Sequence, residues 1–174
     1  FRFTMSQKIR ILVVGCGHMG VSHARAYHKM SDDFEIVGLV SRGPSSREKL
    51  NLEFDRRYAE FSDYADALAR TKPDAVCIST YAETHADYAV AAMEAGAHVF
   101  LEKPVADNLA DCERVIAAAR RLGLDVVIID SSGRTTLDDE LLEELRDLRE
   151  ATKPRERLLV LDAATGQSAL AIAE

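Results

Sequence analysis

Short apolar runs alternate with amphipathic segments along the whole chain. The apolar runs predict six strands, at residues 9–14, 35–40, 74–79, 98–101, 125–129 and 157–161. The segments between them place apolar residues at helical spacing, which predicts helices. Apolar strands that alternate with helices are typical of a parallel sheet covered on both faces. The pattern therefore predicts an α/β fold: a three-layer, doubly wound, Rossmann-like sheet of six strands in the order 3-2-1-4-5-6.

Start and stop signals give the predicted helices their bounds. A helix over 21–30 follows the first strand, Ser45 or Ser46 after Pro44 begins the second, and Ser62 precedes a third over 63–70. Thr84 precedes an alanine-rich helix that ends at Gly96. Helices 109–122 and 137–150 each carry an apolar stripe that we expect to face the core, and the acidic residues of the latter are expected to face solvent. The stripe of helix 109–122 consists of Leu109, Cys112, Val115, Ile116, Ala119 and Leu122.

The first strand runs straight into the motif Gly15-x-Gly17-x-x-Gly20, and a predicted helix follows. Gly15 suits a tight turn, Gly17 lets a pyrophosphate approach the backbone, and Gly20 lets the helix pack closely on the strand. The free amides near His18 and Met19 would face the phosphate oxygens at the positive end of the helix dipole. The motif predicts a dinucleotide site, and the alternative is an ordinary glycine turn.

Length and composition favour one domain. The chain has 174 residues, of which 47% are hydrophobic, and we expect a tail over 1–7 and a single domain over 8–174, with parts 8–124 and 125–174. The net charge of −7 argues against nucleic acid as a partner. No apolar run approaches the ~20 residues that span a bilayer, and no signal peptide is expected at 1–8, so no membrane partner is predicted. The three cysteines form no CxxC pair, which favours a reducing, cytoplasmic setting.

The end of the second strand bears on the choice of cofactor. Dehydrogenases that use NAD place a carboxylate there to accept the ribose hydroxyls, whereas this chain has Ser41 and Arg42, followed by Ser45, Ser46 and Arg47. One charged hydrogen bond to the 2′-phosphate is worth about 1.5–3 kcal/mol. The sequence therefore predicts NADP as the cofactor, with NAD as the alternative. The simpler interpretation of Arg42 is that its side chain points into solvent.

From Lys8 to about Gly123 the chain resembles the nucleotide-binding domain of the Gfo/Idh/MocA oxidoreductases. The resemblance rests on the glycine motif, on residues 78–80, on His85, on residues 91–96 and on the run from Val99 to Pro104 that contains Glu-Lys-Pro. It implies that the glycine loop holds the NAD(P) pyrophosphate and that the loop of Thr80 and Tyr81 lies along the cofactor. It also implies that His85, Glu102 and Lys103 lie on the nicotinamide side. The family's usual Pro-Asn after the threonine is Tyr81-Ala82 here.

From about Asp125 onward the chain resembles part of the GTPase domain of signal recognition particle proteins. Asp130-Ser-Ser-Gly-Arg134 is similar to their Asp-Thr-Ala-Gly-Arg, and the segment 162–167 is similar to their Asp-Ala-Met-Thr-Gly-Gln. No Gly-x-x-x-x-Gly-Lys-Ser/Thr motif occurs, so nothing would cradle the phosphates of GTP or fix magnesium. We therefore expect a chimeric, engineered or recombined, sheet in which residues 125–174 complete the core and hydrolyse no GTP.

The predicted function is binding without a complete catalytic site. Hydride transfer needs a substrate held against the nicotinamide, and family members build that half from a second domain. Lys103 is the one candidate catalytic residue, with capping or phosphate contact as its alternative, and His85 is alternatively a helix-start residue. His18, His23 and His28 recur every five residues, which does not align metal ligands, so no metal is predicted. Three alternatives stay open: a folding scaffold with a vestigial loop, a GTP-binding module, and a dehydrogenase completed by a homodimer.

Overall fold

The computed structural model describes residues 7–123 and nine positions further along the chain: Glu143, Arg146, Asp147, Arg149, Glu150, Lys153, Pro154, Glu156 and Arg157. The chain divides into two compact units, Phe1–Val127 and Ile128–Glu174, and each is described by itself. The predicted strand at 125–129 lies outside the described residues, as do most of the strand at 157–161 and most of the helix at 137–150. The prediction that residues 125–174 complete the sheet therefore stays a prediction.

The first unit is a five-stranded parallel sheet flanked by helices. Its strands are β1 (Ile9–Val14), β2 (Phe34–Val40), β3 (Glu60–Phe61), β4 (Ala75–Ile78) and β5 (His98–Leu101), in the order β3-β2-β1-β4-β5. Its helices are α1 (His18–Lys29), α2 (Pro44–Leu52), α3 (Tyr64–Thr71), α4 (His85–Glu94) and α5 (Leu109–Arg121), with a 3₁₀ turn at Ala82–Thr84 before α4. The Rossmann-like prediction is confirmed at this level.

The predicted strand count and order need correction. Within the described residues there are five strands, and one of them, β3, was not predicted. The strand at 74–79 was expected at the edge beside the second strand, but β4 pairs with β1 instead, with Val14 opposite Ile78. The edge position belongs to β3, whose Phe61 lies opposite Val40. With only two residues, β3 is too short to produce a recognisable apolar run.

Both faces of the sheet are covered, as the apolar strands predicted. Alternate residues of a strand point to opposite faces. Ile11 and Val13 pack with Ala24 of α1 and Leu50 of α2. Leu12 and Val14 pack on the other face with residues of α3, α4 and α5, including Ala67, Ala89 and Ala118. The resulting core holds β1 rigidly at the centre of the sheet.

Several helix ends differ from the prediction. Neither Ser45 nor Ser46 caps α2, which begins at Pro44 after Gly43. Asp63 rather than Ser62 caps α3, because its carboxylate accepts from the amide of Asp66 at 2.7 Å. The stripe of α5 was also predicted too long: Ala119 is buried, but Leu109 and Leu122 at its two ends are 63% and 38% exposed.

The second unit is described only in part. Glu143, Arg146, Asp147, Arg149 and Glu150 are helical and exposed, which agrees with the predicted solvent-facing acidic side of helix 137–150. Arg157 is not in a strand. Among the described residues of both units, no helix combines the length and apolar character needed to cross a bilayer.

Candidate functional site

The carboxyl ends of four parallel strands meet at one edge of the sheet. The amide of Gly15 donates to Val40 O at 2.8 Å, the amide of Ser79 donates to Val14 O at 2.8 Å, and the amide of Glu102 donates to Ile78 O at 2.9 Å. These bonds place side by side the loops that follow β1, β2, β4 and β5. The predicted site segments, far apart in sequence, are therefore brought together at the rim where open α/β sheets bind ligands.

Two glycines close the loop after β1. Gly15 has a φ of +97°, and a Cβ there would lie 2.4 Å from Ser79 O. A Cβ on Gly20 would lie 1.7 Å from Gly15 O. Gly15 therefore makes the turn and Gly20 lets α1 pack against it, which are the roles that the sequence predicted for them.

Gly17 differs from these two glycines. Its φ of −81° suits any residue, and a Cβ built on it meets none of the described residues within 4 Å. The fold itself therefore does not require glycine here. The open space lies at the N-cap of α1, where a phosphate would approach the backbone, and it fits the predicted role of Gly17 toward a diphosphate.

The N-terminus of α1 is the positive end of the helix dipole. Within residues 7–123 no side chain caps the helix at Gly17, and its first turn contains no acidic residue. The first amides of a helix have no partner within the helix, and a negative group there is typically stabilised by about 0.3–1 kcal/mol. Gly17, His18 and Met19 are all exposed residues, so this end of the helix faces outward, where an anion could approach.

The end of β2 carries cationic and hydroxyl groups at the same rim. Ser41 donates from its hydroxyl to Gly43 O at 2.7 Å and accepts from the Ser46 hydroxyl at 3.2 Å. Arg47 donates to Ser41 O at 2.6 Å and lies 3.5 Å from a Glu60 carboxylate oxygen, so its guanidinium already serves the loop. Arg42 is exposed and has no partner within residues 7–123. Of the two arginines proposed from the sequence, Arg42 is the one free to bind a ligand.

The loop after β4 is fastened by hydroxyl groups. Thr80 and Thr84 share a hydrogen bond between their hydroxyls at 2.7 Å, and the Thr84 hydroxyl donates to Tyr81 O at 2.9 Å. Tyr81 is 69% exposed. The loop thus presents Thr80 and Tyr81 at the rim beside the glycine loop, where the sequence predicted them.

His85 does not present its ring to that rim. It is the first residue of α4 and is 1% exposed. Nδ1 lies 2.7 Å from Pro104 O, and Nε2 lies 3.1 Å from Thr80 O. Both nitrogens are engaged, so His85 reaches a ligand only through the loops that it holds.

Glu102 and Lys103 follow β5 and differ in accessibility. Glu102 accepts from Nε2 of His23 at 2.7 Å and from the Lys103 amide at 3.3 Å. The hydrogen bond from His23 is the main reason that the pKa of Glu102 lies below its ordinary value. Lys103 is exposed, and its amine has no hydrogen-bonding partner within residues 7–123. Glu102 is therefore a structural acceptor, and Lys103 carries the available charge.

Sequence reasoning missed His23 as a member of this site. It was weighed only as a metal ligand, yet it joins α1 to a residue 79 positions away. Its partner Glu102 comes from the Glu-Lys-Pro run, but nothing in the sequence indicates that α1 crosses near β5. Among the described residues, no group of histidine, cysteine or acidic side chains is arranged to hold a metal ion.

The geometry defines a class of protein: a Rossmann domain with an open, uncapped glycine loop that suits a dinucleotide. The family model described as an oxidoreductase family with an NAD-binding Rossmann fold, Gfo/Idh/MocA, matches residues 9–129. The chain belongs to this family.

Individual relatives agree with that membership. The chain is 35% identical over 116 residues to 4-carboxy-2-hydroxymuconate-6-semialdehyde dehydrogenase of Sphingobium sp., covering 67% of this chain and 36% of the relative. It is 32% identical over 146 residues to inositol 2-dehydrogenase of Salmonella paratyphi B, and the alignment covers 82% of this chain and 42% of that relative. The WlbA dehydrogenase of Bordetella pertussis, solved with NADH and UDP-GlcNAcA, is 30% identical with a TM-score of 0.62. The match covers 67% of this chain and 36% of that structure's chain. The chain thus spans about two fifths or less of the length of these relatives.

The Salmonella alignment also bears on the predicted chimera. An alignment over 82% of 174 residues extends past about residue 140 wherever it begins. It therefore includes part of the segment that resembles a GTPase from Asp125 onward. The relatives support the oxidoreductase assignment and give no support to a GTPase-derived part or to a chimeric origin.

Proposed function

We propose that this chain is a dinucleotide-binding domain that binds NADP(H) in preference to NAD(H). The observation that carries the proposal is Gly17: a Cβ on Gly15 or Gly20 would collide with backbone, whereas one on Gly17 would enter open space at an uncapped helix start. The amides of Gly17, His18 and Met19 would hold the diphosphate there.

The preference for NADP rests on the end of β2. Arg42 is exposed and unpaired within the described residues, and Ser45 and Ser46 lie beside it in the first turn of α2, which contains no acidic residue. Glu60, a carboxylate beside Arg47, is held by Asn51 at 2.8 Å and lies 3.5 Å from Arg47. A 2′-phosphate at this place would meet the free cation of Arg42, and the Glu60 carboxylate is already engaged.

At the other end of the cofactor, Lys103 is the candidate that contacts nicotinamide or substrate. The bound dinucleotide would supply the hydride donor or acceptor, and the Lys103 ammonium would orient a polar group of the substrate beside it. Among the named relatives, inositol 2-dehydrogenase and the WlbA dehydrogenase solved with UDP-GlcNAcA favour polyols and sugar derivatives as substrates, whereas 4-carboxy-2-hydroxymuconate-6-semialdehyde dehydrogenase favours a carboxylated aldehyde. Oxidoreductase activity of the whole protein is part of this proposal, because the chain matches only part of each relative's length.

Titration with NADPH and NADH, followed by nucleotide fluorescence, tests the proposal. We expect saturable binding of both, with NADPH about 10- to 100-fold tighter, as one charged hydrogen bond predicts. Arg42→Ala should remove that preference and leave NADH affinity unchanged. Lys49→Ala is the matched control, because it removes a charge from the far end of α2. Equal affinities in the wild type would overturn the NADP preference, and no binding of either nucleotide would favour the vestigial scaffold.

A further inference from the structure

Two histidines hold the backbone on either side of Lys103. His23 reaches the preceding residue, Glu102, from α1, and His85 reaches the following residue, Pro104, from the start of α4. The two hydrogen bonds have the same length, 2.7 Å. Lys103 itself is exposed. Lys103, whose amine has no hydrogen-bonding partner among the described residues, is thus carried by a segment that is held on both sides.

The link through His23 is indirect but continuous. Its Nε2 donates to one carboxylate oxygen of Glu102, and the other oxygen accepts from the Lys103 amide at 3.3 Å. The two side chains are only 20% and 14% exposed, so water competes weakly for this bond. The His23 ring also packs edge-on against Phe100, with ring centroids 5.0 Å apart. These contacts fix the ring between α1 and the end of β5.

The link through His85 joins two loops. Pro104 O and Thr80 O are both acceptors, so the ring is the donor toward each of them. A neutral ring donates to one at a time, and the charged ring donates to both. Because His85 is 1% exposed, the loop of Thr80 and the segment after Glu102 are connected through the protein interior.

From these contacts we infer that His23 and His85 are positioning residues for Lys103, and that they fix its backbone where the amine can reach the nicotinamide half of the dinucleotide. The inference rests on the proposed function. α1 begins at the glycine loop and α4 begins at the Thr80 loop. The same two helices that would receive the cofactor therefore also hold the lysine. A lysine whose backbone is already fixed loses less freedom on binding, which strengthens the contact that it makes.

The test uses His23→Leu, because His23 is less buried than His85 and its loss leaves the core intact. His23→Gln is the conservative variant, since its amide can still donate to Glu102. His28→Leu is the matched control: it removes a histidine of the same helix that bonds Tyr58 at the same distance, 2.7 Å, away from this corner. His85→Gln, whose single terminal amide cannot face the two carbonyls from both sides as the ring does, tests the second link.

Two readouts separate positioning from general stability. Affinity is measured for NADPH and for 2′-phospho-ADP-ribose, which lacks nicotinamide. We expect His23→Leu and His85→Gln to weaken NADPH about two- to tenfold, the size of ordering one long side chain, and to leave the analogue unchanged. His23→Gln should recover most of the loss, and His28→Leu should show none. Equal weakening of both ligands, or of neither, would overturn the inference.

The second readout needs no ligand. Hydrogen exchange of the amides of Leu101, Glu102, Lys103 and Val105 should be faster in His23→Leu and His85→Gln than in the wild type, whereas exchange in β1 should be unchanged. Unchanged exchange at 101–105 would overturn the inference whatever the nucleotides do. Failure of the wild type to bind either ligand would instead overturn the proposed function, and the exchange experiment distinguishes the two failures.

Discussion

A Cβ built on Gly20 would lie 1.7 Å from the carbonyl oxygen of Gly15. This contact joins the first turn of α1 to the end of β1, and no rotation of a side chain can relieve a clash there, because both partners are backbone. The contact also fixes how far the N-terminus of α1 lies from the sheet. The open space beside Gly17 thus depends on the close backbone contact at Gly20.

Gly20→Ala should destabilise the domain strongly, by about 3 kcal/mol, because an overpacked backbone contact must move the helix. Gly17→Ala should change the free energy of unfolding by about 1 kcal/mol or less, since its Cβ enters open space and only the N-cap preference is lost. Urea denaturation of the two variants measures the difference. Similar losses in both would contradict the roles assigned to the two glycines.

Arg10 stabilises the end of α3 from the first strand. Its guanidinium donates to Lys72 O and Thr71 O, both at 2.6 Å, and so satisfies carbonyls that a helix end leaves free. Arg10→Met should lower the free energy of unfolding by about 1.5–3 kcal/mol. Arg25→Met, which removes an exposed pair with Glu53, should cost less than about 1 kcal/mol. Equal losses of unfolding free energy in the two variants would show that the bonds to Lys72 O and Thr71 O stabilise the domain no more than an exposed ion pair does.

Glu102 gives the domain a specific dependence on pH. Its pKa is lower than its ordinary value of 4.5, first because His23 donates to it. A carboxyl with a lowered pKa in the folded state contributes stability that is present above its unfolded pKa and lost as the pH falls through its folded pKa. The wild type should therefore be more stable than Glu102→Gln at neutral pH, and this advantage should shrink below about pH 4.5. Urea unfolding of both proteins across that range measures it, and an advantage that grows with acid would reverse the assigned sign.

The three thiols should differ in reactivity. Burial raises the pKa of both Cys16 and Cys77 to about 11, whereas Cys112 is only partly buried. A disulfide reagent at about pH 8 should therefore modify one thiol per folded chain, since only thiolates react readily. All three should react in urea, and Cys112→Ser should abolish the reaction of the folded protein. Fast modification of two or more thiols without denaturant would show that the sheet is less closed than described.

The sequence predicts those parts of the fold that local patterns encode. The bounds of β1 and β5 match the predicted runs, because each is a mostly apolar segment close to a glycine. β3 was missed because Glu60 and Phe61 become a strand only by pairing with Leu39 and Val40. That omission also moved β4 to the wrong side of β1 in the predicted order.

The site could be predicted only in part for a similar reason. The glycine loop is contiguous, so the spacing of Gly15, Gly17 and Gly20 was sufficient to locate it. The bond from His23 to Glu102 spans 79 residues and depends on how α1 lies relative to β5. The burial of His85 likewise depends on the position of Pro104. Such relationships arise from tertiary packing, which no local pattern reports.

Titration of the wild type and Gly17→Val with NADPH tests the central claim most directly. The backbone at Gly17 accepts any side chain and the space beside it is open, so thermal unfolding of the variant should be nearly unchanged. The account predicts saturable binding by the wild type and at least about tenfold weaker binding by Gly17→Val, because the valine occupies the approach of the diphosphate. Equal affinity in the two proteins, or no binding by the wild type, would contradict it.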